Sequence, residues 1–259
     1  RAIHSSIAAL AVEANVSEPT VNRFCRSMDT RGFPDFKLHL AQSLANGTPY
    51  VNRNVDEDDS VESYTGKIFE SAMASLDHVR QSLDNAAVNR AVDLLTQAKK
   101  IAFFGLGSSA AVAHDAMNKF FRFNVPVIYS DDIVLQRMSC MNCSDDDVIV
   151  LISHTGRTKS LVELAQLARE NDAMVIALTS PGTPLAREAT LAITLDVPED
   201  TDIYMPMVSR LAQLTVIDVL ATGFTLRRGA KFRDNLKRVK EALKESRFDK
   251  ELLIKSDDR

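Results

Sequence analysis

Five short apolar runs, at residues 100–105, 125–129, 148–153, 174–178 and 191–195, alternate with stretches of helical periodicity, and this constrains the fold most. The runs are continuously apolar, as in Ile101-Ala102-Phe103-Phe104 and Val148-Ile149-Val150-Leu151-Ile152. Strands of that kind bury both faces, as they do when helices cover both sides of a parallel sheet. Helices are predicted between them at about 108–123, 132–140, 159–171 and 184–189. Two more precede the sheet, at about 60–82 and 85–98, the second capped by Asp84 or Asn85. A long helix at about 207–227 and a basic amphipathic one at about 231–246 close the chain. The pattern predicts an α/β domain of three layers with a five-stranded parallel sheet.

A different pattern occupies the first 46 residues. Ile7, Leu10 and Ala11 share a helical face that stops near Asn15-Val16. Ser17 is placed to cap the next helix, Pro19 sits just inside it, and Glu18 suits its positive end. Val21, Phe24, Cys25 and Met28 form that helix's predicted apolar stripe, with Arg23 and Arg26 on the opposite side. The helix breaks at Gly32-Phe33-Pro34, and a third is predicted from about Asp35 to Ala45, partly burying Phe36, Leu40 and Leu44. Helix, tight turn, helix is the order of a helix-turn-helix unit. Asn46-Gly47-Thr48-Pro49 and the acidic run Asp56-Glu57-Asp58-Asp59 then read as a linker. The expected division is a small all-α helix-turn-helix domain over 1–46, a linker over 47–60, the α/β domain with flanking helices over 61–246, and a tail over 247–259.

Two hydroxyl-rich loops carry the chemistry. Gly105-Leu106-Gly107-Ser108-Ser109 follows the first strand, and Ser153-His154-Thr155-Gly156-Arg157-Thr158 follows the third. Each opens a helix, where backbone N–H groups converge and an anion is stabilised. Serine and threonine hydroxyls add donors for phosphate oxygens, and glycine allows close approach of the backbone. The first loop nearly matches a dinucleotide fingerprint, Gly105-x-Gly107-x-x-Ala110, with Asp131 and Asp132 about where a ribose-binding acid would lie. The extra hydroxyls and the second loop fit a small phosphorylated ligand better. His154 reads as a loop-packing residue and His114 as a packed structural histidine. Glu163 and Glu199 are the carboxylates available for proton transfer, but neither sits in a motif that names it.

Composition narrows the rest. The chain has 259 residues and a net charge of −4, which argues against bulk nucleic-acid binding. The charge is unevenly spread: residues 1–40 carry five Lys/Arg against four Asp/Glu, and residues 226–259 carry twelve against seven, leaving the body acidic. Cys25, Cys140 and Cys143 make no disulfide framework, and the Cys140-Met-Asn-Cys143 spacing lacks the second pair that a zinc site needs. No apolar run approaches the roughly 20 residues that span a bilayer, and no signal-peptide pattern opens the chain, so a cytoplasmic protein without membrane contact is expected. The start at Arg1 suggests a fragment.

Gly105-Leu106-Gly107-Ser108-Ser109 and Ile152-Ser153-His154-Thr155-Gly156-Arg157-Thr158-Lys159 resemble the two phosphosugar loops of the sugar isomerase (SIS) domain. Ser17-Glu18-Pro19-Thr20-Val21-Asn22-Arg23-Phe24-Cys25-Arg26 and the following Gly32-Phe33-Pro34-Asp35-Phe36-Lys37-Leu38 resemble the DNA-binding unit of the RpiR-family transcription regulators. The order of the two parts is that family's. The resemblance implies a non-enzymatic regulator, a repressor of hexose and Entner-Doudoroff carbohydrate metabolism, responsive to a phosphorylated sugar acid such as 2-keto-3-deoxy-6-phosphogluconate. It implies Ser109 and Ser153 as the principal ligand contacts, supported by Ser108, Thr155, Gly156 and Thr158. It implies Arg23 and Arg26 as DNA contacts, with Ser17, Thr20 and Asn22 around them. It also implies that the first helix of the DNA-binding domain is largely missing here. No catalytic residue, metal or cofactor is expected. The partners expected are operator DNA with paired half-sites and a second copy, as a homodimer or dimer of dimers, with the helices at 60–98 and 207–246 as the dimer scaffold. The alternative is a phosphosugar isomerase using the same pocket.

Overall fold

The computed structural model describes residues 5–28, 30–37, 54–199, 201 and 205–244. The chain divides into two compact units, residues 1–71 with 200–205, and residues 72–199 with 206–259.

In the first unit, α1 (Ile7–Glu13) is capped by the Ser6 hydroxyl, which accepts from the Ala9 N–H. Asn15 takes a left-handed φ of 53°, and the Val16 N–H returns to the Ala11 carbonyl at 2.9 Å, closing the tight turn into α2 (Glu18–Ser27). Such a left-handed residue just past a helix end satisfies its last carbonyls. A third helix, α3, is described over residues 33–37, starting two residues before its predicted start. The rest of its predicted span lies outside the described residues, as do residues 38–53 of the linker region and the predicted tail. Ala11, Val21, Cys25 and Phe33 form the small core, with Ile7, Leu10 and Phe36 packed against it.

The predicted stripe of α2 is only half buried. Phe24 and Met28 are exposed. Phe24 lies at the margin of the face that Val21 and Cys25 define, and its ring rests edge-on against Phe36 at 6.0 Å. Met28 follows the last helical turn, with φ −98° and ψ 28°, so it has left the stripe.

The second unit is built on strands β1 (Lys100–Gly105), β2 (Val127–Ser130), β3 (Asp147–Ser153), β4 (Met174–Thr179) and β5 (Leu191–Thr194). All pair in parallel, in the order β2-β1-β3-β4-β5. β2 starts two residues later than predicted because Pro126 has no N–H to donate to the ladder. The helices are α4 (Val61–Ser82), which crosses the division between the units, α5 (Asn85–Gln97), α6 (Ser108–Phe120), α7 (Ile133–Met141), α8 (Lys159–Glu170), α9 (Pro184–Glu188) and α10 (Val208–Lys244). α6 is shorter than predicted, passing into a single 3-10 turn over Phe121–Phe123 that ends at left-handed Asn124. α10 combines the two predicted closing helices, broken where expected: Gly229 has φ 77° and ψ −165°. No helix among the described residues is long and apolar enough to cross a membrane.

Alternate strand residues feed two cores. Ile101, Phe103, Val148, Val150, Ile152 and Ile176 pack with α5, α6 and α10 on one face. Ala102, Phe104, Ile149, Leu151, Val175 and Ala177 pack with Cys140 of α7, Leu161, Leu164 and Ala165 of α8 and Leu185 of α9 on the other. Covering both faces is what made the runs continuously apolar. A ring cluster of Phe120, Phe123, Phe224 and Phe232 spans the break in α10, and the Arg228 guanidinium lies over Phe224 and Phe232.

Candidate functional site

The strand order sets the site. β1 is followed by β2 on one side, and the chain then crosses back to place β3 on the other, so the order reverses between β1 and β3. Their register ends with Gly105 opposite Ile152, on neighbouring strands spaced about 4.8 Å apart. The loops leave in opposite directions, one into α6 on the first face and one into α8 on the second. Diverging connections at the carboxyl ends of adjacent strands leave the crevice where open α/β sheets bind ligands.

The first loop is drawn tightly onto its helix. A Cβ on Gly105 would stand 2.6 Å from the Ser109 backbone oxygen, so only glycine allows this approach. Gly107 occupies the N-cap of α6 and brings no side-chain cap, leaving the first turn open. Ser108 is half-buried and Ser109 buried. Among the described residues the Ser109 hydroxyl has no protein hydrogen-bond partner. Beneath the loop, Gln136 of α7 is fully buried and donates from Nε2 to the Ser130 carbonyl at 2.7 Å, with the Gly105 carbonyl at 3.4 Å.

The second loop is folded by its own groups. Ser153 is buried, and its Oγ accepts from the Gly156 N–H at 3.2 Å, so the hydroxyl proton stays available to an acceptor. Thr155 Oγ1 accepts from the Arg157 N–H at 3.4 Å. Thr158 stands at the N-cap of α8 without bonding it through its side chain. Gly156 has a φ of 56°, and a Cβ there would run into the hydroxyls of Thr179 and Thr183. Its carbonyl accepts from the Leu185 N–H at 3.1 Å. His154 is held from three sides: its carbonyl accepts from Ser180 N–H at 2.9 Å, and its ring nitrogens face Ser180 Oγ and the Glu199 carbonyl, each at 3.4 Å. Thr179, Ser180 and Thr183 therefore shape this loop, which the sequence reading missed. The hydroxyl-rich stretch Thr179-Ser180-Pro181-Gly182-Thr183 after the fourth strand is the signal that would have found them.

The groups offered for other chemistries have structural work. The Asp132 carboxylate caps α7, accepting from the Val134 and Leu135 N–H groups at 2.8 and 3.0 Å, which occupies the oxygen a ribose would need. The Glu199 carboxylate caps α10 through the N–H groups of Met207, Val208 and Ser209 and the Ser209 hydroxyl. Glu163 lies exposed on α8, 3.6 Å from Arg137. His114 is exposed on α6 with its ring 4.9 Å from that of Tyr129, and so is not the packed residue expected. Burial pushes the Cys140 thiol up to about 12 and also raises Cys143, whose Sγ donates to the Cys140 carbonyl. Such thiols are inert at neutral pH.

On α2, Arg23 and Arg26 are both exposed. Arg23 donates to Thr20 Oγ1 at 3.1 Å, and Thr20 Oγ1 lies 3.0 Å from Ser17 Oγ, which makes a hydroxyl-guanidinium chain along the first turns. Ser17 occupies the N-cap, as the sequence suggests, but its hydroxyl meets Thr20 rather than a backbone N–H. Asn22 turns inward: its Oδ1 accepts from the Phe33 N–H at 3.1 Å and ties α2 to α3.

Comparison with known proteins agrees with both halves. A family model for the SIS domain matches residues 94–223, and one for the helix-turn-helix domain of the rpiR family matches residues 1–47. The chain is 94% identical over 258 residues to the HTH-type transcriptional regulator HexR of Escherichia coli K12, covering 100% of this chain and 89% of that protein. It is 56% identical over 248 residues to the regulator of the same name from Pseudomonas aeruginosa, covering 96% of this chain and 87% of that one. Among solved structures, the Vibrio vulnificus NanR protein complexed with ManNAc-6P aligns with a TM-score of 0.67 at 25% identity, over 95% of this chain and 88% of that one. The chain belongs to the RpiR family of helix-turn-helix transcriptional regulators with an SIS domain, and it is a DNA-binding regulator rather than an enzyme.

Proposed function

We propose that the chain is a ligand-responsive repressor of carbohydrate metabolism, acting in the cytoplasm. Its sensor, over 61–246, takes a phosphorylated sugar acid of the 2-keto-3-deoxy-6-phosphogluconate type, and its DNA-binding module, over 1–46, reads an operator with paired half-sites. Residues 47–60 link the two and 247–259 form a tail. Ser109 and Ser153 are the principal phosphosugar donors, with Ser108, Thr155, Gly156 and Thr158 around them. Arg23 and Arg26 make the DNA contacts, with Ser17 and Thr20 beside them. Asn22 serves the site by holding α2 against α3 rather than through its own amide oxygen. The protein works as a homodimer or dimer of dimers.

One observation carries the sensor reading. Two hydroxyl-bearing loops leave adjacent strands at the reversal of strand order, and the hydroxyls of Ser109 and Ser153 keep donors uncommitted to protein acceptors. A phosphate offers the acceptors that such donors need. That the V. vulnificus relative was solved with a phosphorylated sugar supports the same ligand class.

Thermal unfolding with 2-keto-3-deoxy-6-phosphogluconate and a panel of other sugar phosphates tests it. At 100 times its dissociation constant a ligand stabilises by about 2.7 kcal/mol, which raises the midpoint by several degrees in a domain of this size. The Ser109→Ala/Ser153→Ala variant should lose that shift while unfolding near the wild-type midpoint without ligand. Absence of a shift with every phosphosugar would overturn the reading.

A further inference from the structure

We propose that the outer face of α7 is a surface on which a second copy of this chain docks. The helix has nine residues and two unlike sides. Inward, Gln136 and Cys140 are fully buried. Gln136 is fixed to the carbonyl ends of β1 and β2, and the Asp132 carboxylate pins the first turn. Outward, Val134, Leu135, Met138 and Met141 are each between 54% and 61% exposed, and Ile133 adds a fifth apolar side chain at 38%.

At about 100° per residue these five side chains, with Arg137 among them, sweep a continuous arc over roughly half the helix circumference. A surface helix of a monomer ordinarily turns charged and polar residues to water. Here Arg137 is the one charged residue in the helix. Contiguous exposed apolar patches mark interaction sites, and methionine is enriched in them. Because α7 is fixed from beneath, the face is presented in one conformation and loses little entropy on docking.

The rim indicates what covers it. Arg137 and Glu163 of α8 lie 3.6 Å apart, and both side chains are more than half exposed. A patch bordered by one charge of each sign complements itself: a two-fold axis brings the cation of one copy to the anion of the other, as an isologous interface requires. A partner of a single charge sign would leave one of the two unmatched. A standard interface needs about 800 Å² on each side, most of its affinity residing in a few central apolar side chains. The α7 face supplies such a centre, and α8 contributes to the rim. Association through α7 also provides the two-fold pairing that half-site recognition needs, and in that respect the inference rests on the repressor reading. The surface lies on a helix outside the two segments expected from the sequence to form the dimer scaffold.

Sedimentation of the full protein from nanomolar to micromolar concentration tests the inference. Wild type should associate, and Val134→Glu/Met138→Glu should sediment as a smaller species, its dissociation constant raised at least about 100-fold. Circular dichroism melting reports whether that variant is folded. If it is not, Met138→Ala is read in its place, with an expected weakening of about tenfold. A wild type that stays monomeric throughout, or folded variants that associate as wild type does, would overturn the inference. The assay contains neither sugar phosphate nor DNA, so its failure is distinct from a failure of the sensor reading.

Discussion

Gly156→Ala should abolish phosphosugar binding while leaving the domain folded. Two costs coincide at this position. The φ of 56° is one that residues with a Cβ rarely adopt, and the Cβ would also meet the Thr179 and Thr183 hydroxyls. The strain and the displacement together should cost about 2–4 kcal/mol of stability. The loop can relieve both by moving away from β4, which breaks the Gly156 N–H bond to Ser153 Oγ and the Leu185 N–H bond to the Gly156 carbonyl. The Ser153 hydroxyl and the backbone donors of the loop then no longer converge. Losing two hydrogen bonds to a charged phosphate, at roughly 1.5–3 kcal/mol each, weakens binding at least about 100-fold. Calorimetric titration checks the affinity and thermal unfolding the stability. Wild-type affinity in the alanine variant would show that the second loop does not hold the ligand.

The second large effect belongs to α2. Arg23→Ala and Arg26→Ala, made in the intact protein, should each weaken operator binding by about 1–3 kcal/mol, tenfold to more than a hundredfold, without altering phosphosugar affinity. Arg23 is already steadied on the helix surface by Thr20, which reduces the ordering that binding must supply. The two kinds of DNA contact separate in the same titrations. A guanidinium on a guanine edge relaxes specificity at one base pair when removed, whereas one on phosphate lowers the salt slope by about one. Operator affinities unchanged in both variants would remove α2 from the DNA interface.

Periodicity in the sequence reports burial, and the fold was legible wherever burial is continuous. The five strands, the helices between them and the break near residue 229 all follow from runs and stripes that a large core enforces. The small N-terminal core was harder to read. With so few buried side chains, Phe24 and Met28 fit the helical spacing of Val21 and Cys25 yet remain exposed. At the site, the two loops stand out because hydroxyls and glycines cluster after apolar runs. The clamp formed by Thr179, Ser180 and Thr183 depends instead on how two loops meet in space, which no local pattern records. The same holds for Glu199: its carboxylate caps a helix that begins nine residues later, and in sequence it looked like a free acid.

The central claim is that sugar-phosphate binding and operator binding are linked. A ligand alters DNA affinity only if it binds the free and the DNA-bound states unequally, and the ratio of those two affinities is the whole effect. The decisive measurement is the affinity of 2-keto-3-deoxy-6-phosphogluconate for the free protein and for the operator complex, at one salt concentration. The account predicts that the two differ by about 5- to 150-fold, with the free protein binding the ligand more tightly, as a repressor released by its ligand requires. Equal affinities would contradict it.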